Sequence, residues 1–195
     1  MNVFARKSLP HMTADDFLAW PGDGTGRTYQ LVDGEVRPLS PASRTHGIIQ
    51  ARLIYLISGA IIAAKLNLQV GSEVAMQPRL NAATNVRVPD VLVAPLTDER
   101  SEIVAPDPVL IAEILSPGNE DDTRDNIRAY ATLPSVREMA ALSSSRIRAE
   151  VHRRLSDGTW APDPELVEAG GRLRLDTVAL DTPLVEAYAT TYLRR

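Results

Sequence analysis

Apolar positions along the chain recur with two spacings, and each change of spacing marks a new element. "MTADDFLAWP" predicts a short helix, with Thr13 to cap it, Asp15 and Asp16 in its first turn, and Pro21 to keep it from continuing. The glycine-rich "PGDGTGR" is a turn, because no strand precedes it to make a phosphate-binding loop. In "TYQLVDGEVRPL" two alternating runs flank Asp33-Gly34 and predict a hairpin. A long helix opens after Pro41, where Ile49, Leu53, Leu56, Ile57, Ala60 and Ile61 recur at three- and four-residue spacing.

The alternating or continuous apolar runs "NLQVGSEVAMQP", "VRVPDVLVAP" and "PVLIAEILSP" then predict three strands. The acidic "GNEDDT" leads into a second helix, "RDNIRAYATL". The strands "VREMAAL" and "IRAEVHRRL" come next, joined by "SSS". After the turn "SDGTWAPD", the tail predicts a short strand, "GRLRL", and a helix from Pro183 to Leu193. Strands and helices in this order make an α/β domain with a mixed sheet.

Composition narrows the function classes. At 195 residues and 44% hydrophobic, the chain can bury one sizeable core. There is no cysteine, which removes disulfides, zinc-thiolate sites and thiol nucleophiles. Lys7 and Lys65 are the only lysines, so the basic side is almost wholly arginine, a residue suited to forked phosphate contacts. A net charge of -4 argues against a nucleic-acid coat but leaves room for a local basic cleft. The start lacks the apolar stretch of a secretory signal, and Gln50, Arg52 and Ser58 interrupt the longest apolar run. We therefore expect a cytoplasmic protein with no membrane partner.

Two acids sit where strands should be apolar. Alternation puts Asp90 on one strand face with Val88 and Leu92, and Glu113 on a face with Ile111 and Leu115. If the two strands pair in register, both carboxylates reach a common point, where they repel and call for a cation. Carboxylate and water ligands suit Mg²⁺ or Mn²⁺. The plainer alternative pairs each acid with an arginine, for which Arg87, Arg137 and Arg148 are candidates. Arg124, Arg128, Arg146, Arg148, Arg153 and Arg154 either track phosphates or are solvated surface charges.

The blocks "TYQLVDGEVRPLSPAS", "HG", "RVPDVLV", "AEILSP" and "RAYATLPSVREM", in this order, resemble the Uma-two family of restriction-endonuclease-like proteins, within the PD-(D/E)XK superfamily. The resemblance implies a mixed central sheet flanked by helices, in one domain over residues 1–195 with a core of about 13–154 and a C-terminal extension, 155–195. It implies a DNA endonuclease in which Asp90 and Glu113 hold Mg²⁺ or Mn²⁺, with Glu35, His46 and Tyr130 as accessory residues. Two departures stand out. Gln30 occupies a place where the family commonly carries glutamate. Leu115 stands where the superfamily lysine belongs, and Asn126, four residues before Tyr130, fills the place to which the family moves it. An amide orients water but brings no positive charge. The alternative to an enzyme is therefore an inactive nuclease-like fold that binds nucleic acid or protein. An enzyme cutting both strands of a duplex is expected to be a homodimer, with the long helix as the seam.

Overall fold

The Thr13 hydroxyl accepts a hydrogen bond from the Asp16 N–H and starts α1 (Ala14–Ala19), the first element of a computed structural model that describes residues 9–97 and 103–194. Part of the segment read for a secretory signal lies outside the described residues. The hairpin comes next as β1 (Tyr29–Val32) and β2 (Glu35–Pro38). Asp33 and Gly34 have φ of 49° and 84°, the left-handed pair that matches a two-residue turn to strand twist. Backbone hydrogen bonds between Leu31 and Val86 tie this hairpin to the body, over a small cluster of Ala14, Tyr29, Leu31, Val36 and Val86.

Ser43 caps α2 (Arg44–Ala63) by accepting the His46 N–H. Its buried stripe is His46, Ile49, Leu53, Ile57 and Ile61, with Leu56 and Ala60 only partly buried beside it. By length and composition it is the one helix among the described residues able to cross a membrane. Its stripe instead packs on the sheet. Fully burying side chains such as Ile49, Leu53 and Ile57 contributes roughly 1.5–3 kcal/mol each.

The sheet runs β3 (Leu68–Gly71), β4 (Val91–Pro95), β5 (Leu110–Leu115), β6 (Glu138–Ser143), β7 (Arg148–Arg153) and β8 (Glu165–Glu168), in that spatial order. Every neighbouring pair is antiparallel except β5 and β6. A parallel pair needs a crossover, and α3 (Glu120–Tyr130) supplies it. All six residues of β5 are buried, as a strand covered on both faces requires. Leu110, Ala112 and Ile114 join the α2 core; Ile111 and Leu115 join the α3 core with Ile127, Tyr130 and Met139. The mixed sheet flanked by helices is thus present.

Several boundaries differ from expectation. The strand predicted for "NLQVGSEVAMQP" ends at Gly71, where the chain bends through Glu73 at φ 54°. The acids of "GNEDDT" lie inside α3, filling its first turn, where carboxylates favour the positive helix end. The tail helix is replaced by two 3₁₀ turns, Leu184–Tyr188 and Tyr192–Arg194. Two strands were not foreseen: β8, and β10 (Leu180–Pro183), which pairs with β9 (Arg172–Leu175). Residues 155–195 add β8 to the sheet, and Leu173, Leu175, Leu184 and Tyr188 to the α2 core.

Arg154 binds the end of α3 to the rest. Its guanidinium donates to four backbone carbonyls, those of Ala131, Leu133, Val136 and Gly158, at 2.7–3.0 Å. It also lies 4.5 Å from the ring centre of Trp160, whose own N–H reaches the Ala131 carbonyl.

Candidate functional site

Asp90 is not in the middle of a strand, as its apolar flanks suggested. β4 begins at Val91. Pro89 has no N–H to give a ladder and restrains Val88, so regular pairing starts only beyond it. The aspartate therefore sits at the mouth of the strand, with its side chain 19% exposed. The register that pairs Val91 with Ala112 carries Asp90 opposite Glu113. The Ile114 N–H donates to Asp90 Oδ2 at 2.7 Å, and the Asp90 N–H to Glu113 Oε2 at 3.4 Å. The two carboxyl groups are hydrogen-bond neighbours.

Each acid has its own support. His46, buried in the first turns of α2, places Nε2 2.9 Å from Asp90 Oδ1. Its Nδ1 lies 3.4 Å from the Ser116 hydroxyl, which in turn meets the Ser144 hydroxyl at 3.1 Å. Gln50, one turn further along α2, donates to the Asp90 carbonyl at 2.8 Å. Glu113 Oε1 accepts the Tyr130 hydroxyl at 2.7 Å. Burial first, and the Asp90 charge next, push the Glu113 carboxyl well above the usual carboxylate range. Burial, and then the Glu113 charge, push the Tyr130 phenol well above its own. Without a cation, the pair keeps a proton on the Glu113 side.

The acids form part of the wall of a cavity of about 470 Å³. His46, Gln50 and Gln30 line it from one side and Thr123 and Asn126 from α3; Arg27 and Arg37 also face it. Asn126 thus shares a cavity with Asp90, Glu113 and His46. Tyr130 meets the group through Glu113. Glu35 does not join: it is exposed on the hairpin, does not line the cavity, and pairs with Arg37 at 2.9 Å. None of the suggested arginine partners compensates Asp90. Arg87 donates to the Leu31 carbonyl, and Arg148 lies nearest Glu150 and Glu168. Among the described residues the side chain that meets the Asp90 carboxylate is His46, at 2.9 Å.

A family model described as "Uma2: Putative restriction endonuclease" matches residues 14–182. The chain belongs to the Uma2 family. The crystal structure of a "putative nuclease belonging to DUF820" from Anabaena variabilis is similar in fold to this Uma2 chain. The TM-score is 0.72 over 91% of this chain and 98% of that one, at 17% identity. No curated protein matches the chain.

Restriction endonucleases usually work with divalent metal ions, and the donors here fit such an ion in kind. Two carboxyl groups share one point in the cavity wall, and the one that is buried is held back from ionising by burial and by its neighbour's charge. Hard cations take oxygen ligands, and Mg²⁺ commonly uses one or two carboxylates with water and phosphate oxygens. No group of three or more acid, histidine or cysteine side chains converges on a metal position among the described residues.

Sequence reasoning missed Gln50 and Ser116, which reach the site across 40 and 70 positions of chain. No local pattern reports such a contact.

Proposed function

We propose that this Uma2 protein is a divalent-metal-dependent nuclease that hydrolyses phosphodiester bonds in DNA, with Asp90 and Glu113 holding Mg²⁺ or Mn²⁺. One observation carries the reading: two facing carboxyl groups, one of them buried and strongly raised in pKa, in the wall of an open cavity. When bound, the ion supplies an acidified water and neutralises charge on the phosphate.

The protein's own residues do the rest. His46 grips one Asp90 oxygen and the Ile114 amide the other, so the aspartate is oriented before anything binds. Tyr130 fixes Glu113 and gives its ionised form a hydrogen bond in a dry setting. Ionisation of Glu113 accompanies cation binding, so its proton leaves to solvent through the open cavity. The Asn126 amide orients water on the α3 side, and Arg27 offers charge to the nucleic-acid backbone. The reading includes a cytoplasmic homodimer, one active site for each strand of a duplex.

The test is cleavage of supercoiled plasmid in Mg²⁺ or Mn²⁺ by wild type and by the double variant Asp90→Ala, Glu113→Gln. Relaxed and linear products with wild type alone are expected. Equal cutting by the double variant sinks the assignment.

The second reading is a catalytically silent relative that binds nucleic acid or protein in the same cavity. Asn126 favours it, because among the described residues no lysine lines the cavity to steady an attacking hydroxide. Calorimetric titration with Mn²⁺ separates the two: a nuclease takes up the ion and the Asp90→Asn variant does not, whereas an inactive fold need not bind it at all.

A further inference from the structure

The parallel β5–β6 pair brings the carboxyl ends of both strands to one edge of the sheet. The chain leaves β5 towards α3 and leaves β6 into the β7 hairpin, and beside these exits lies a second cavity, of about 320 Å³. Leu115, Pro117 and Ala141 give it an apolar wall, and its polar wall carries Ser143, Ser145, three arginines and two acids, Glu120 and Glu150.

The three guanidiniums are not equivalent. Arg124 is fully engaged, donating to Glu150 at 3.1 and 3.3 Å and to Glu120 at 2.9 Å. Arg148 stands 3.8 Å from Glu150 and 3.9 Å from Glu168, donates no side-chain hydrogen bond among the described residues, and has a buried Nε without a partner. Arg146 is exposed and makes no hydrogen bond or ion pair among the described residues. Two cations with donors to spare, two hydroxyls and a small apolar wall complement a sugar–phosphate unit. Its volume is at the low end for small-ligand pockets, which suits one nucleotide unit rather than a larger ligand. Ser116 joins this cavity to the acids: it lines the cavity, and its hydroxyl touches the histidine that holds Asp90.

We propose that this cavity holds a backbone phosphate of the nucleic-acid strand, close along the strand from the bond presented to Asp90 and Glu113, with Arg146 and Arg148 as its contacts. Only the identity of the strand as substrate rests on the nuclease reading.

The experiment is fluorescence anisotropy of a short labelled DNA duplex, and of one of its strands, in EDTA, so that the acid pair contributes no metal-mediated binding. Arg146→Ala and Arg148→Gln should each weaken binding about tenfold and lower the slope of log affinity against log salt by about 1. Arg146 is exposed, so its variant keeps the fold, and a melting curve checks Arg148→Gln. Wild-type affinity and slope in both arginine variants overturn the proposal, even if metal-dependent cleavage stands. Arginine-dependent binding without any cleavage upholds the proposal while the nuclease reading falls. Calorimetric binding of inorganic phosphate as tight as that of the duplex overturns it in favour of a small-anion pocket.

Discussion

Replacing Glu113 by glutamine probes the acid pair through stability, independently of any turnover. The side chain keeps its shape: its carbonyl oxygen still accepts the Tyr130 hydroxyl, and its amide donates towards Asp90 where the retained proton did. What the variant removes is a buried acid held protonated by burial and by its neighbour's charge. Above an unfolded-state pKa of about 4.3, native wild type binds one more proton than the unfolded chain. Its stability therefore falls as pH rises from there, by about 1.4 kcal/mol per pH unit, until the raised folded-state pKa is passed. Carried to about pH 7, that slope bounds the cost at about 3.7 kcal/mol. With relaxation around the site we expect a gain of about 2 kcal/mol, or about 4–8 °C in Tm for a chain of this size. The assay is thermal unfolding by circular dichroism in EDTA, at about pH 5 and about pH 8. The gap between variant and wild type should be small at the lower pH and open at the higher. A constant gap, or a variant less stable than wild type at about pH 8, would refute the buried-acid argument.

Tyr130→Phe removes the hydroxyl from a fully buried pair and should lower stability by about 2 kcal/mol in chemical denaturation; an unchanged midpoint would mean that the hydroxyl does not hold Glu113. Asn126→Lys should raise Mg²⁺-dependent nicking on the order of a hundredfold, with Asp90→Ala in the same background cancelling the gain, and a fall in nicking would mark Asn126 as adapted to the reaction. Light scattering at micromolar concentration should give a dimer, with Tyr55 and Ile62 on the outer face of α2 as the first positions to charge; a monomer counts against the paired active sites.

What the sequence made legible was local. The hairpin followed from two residues that tolerate the left-handed backbone, and α2 from a stripe repeating every three or four positions. β5 followed from an apolar run broken by one acid, and that acid proved to be buried beside Asp90. The start of β4 was also written in the chain, in Pro89, but the apolar run around it masked the signal. β8 and β10 are four residues long with mostly exposed positions, too short for alternation to rise above the background. The arginines show the other limit. The sequence left six of them open between phosphate contacts and solvated surface charges, whereas Arg124, Arg128 and Arg153 are matched by acids and Arg154 by backbone carbonyls. Only the folded arrangement distinguishes a neutralised guanidinium from one with donors to spare.

Arg154 carries a warning for anyone mapping this protein by mutation. Asn126 and Tyr130 ride on a helix whose exit takes three hydrogen bonds from that side chain, so loosening it displaces the α3 wall of the cavity without touching any group there. A lysine cannot span the four carbonyls from one point charge, and the most conservative replacement would act much like a deletion. In a survey scored by activity alone, position 154 would rank beside the acids and invite a chemical role. Scored also by melting temperature, it should separate from Glu113 at once, because Glu113→Gln is expected to raise the melting temperature and the loss of Arg154 to lower it.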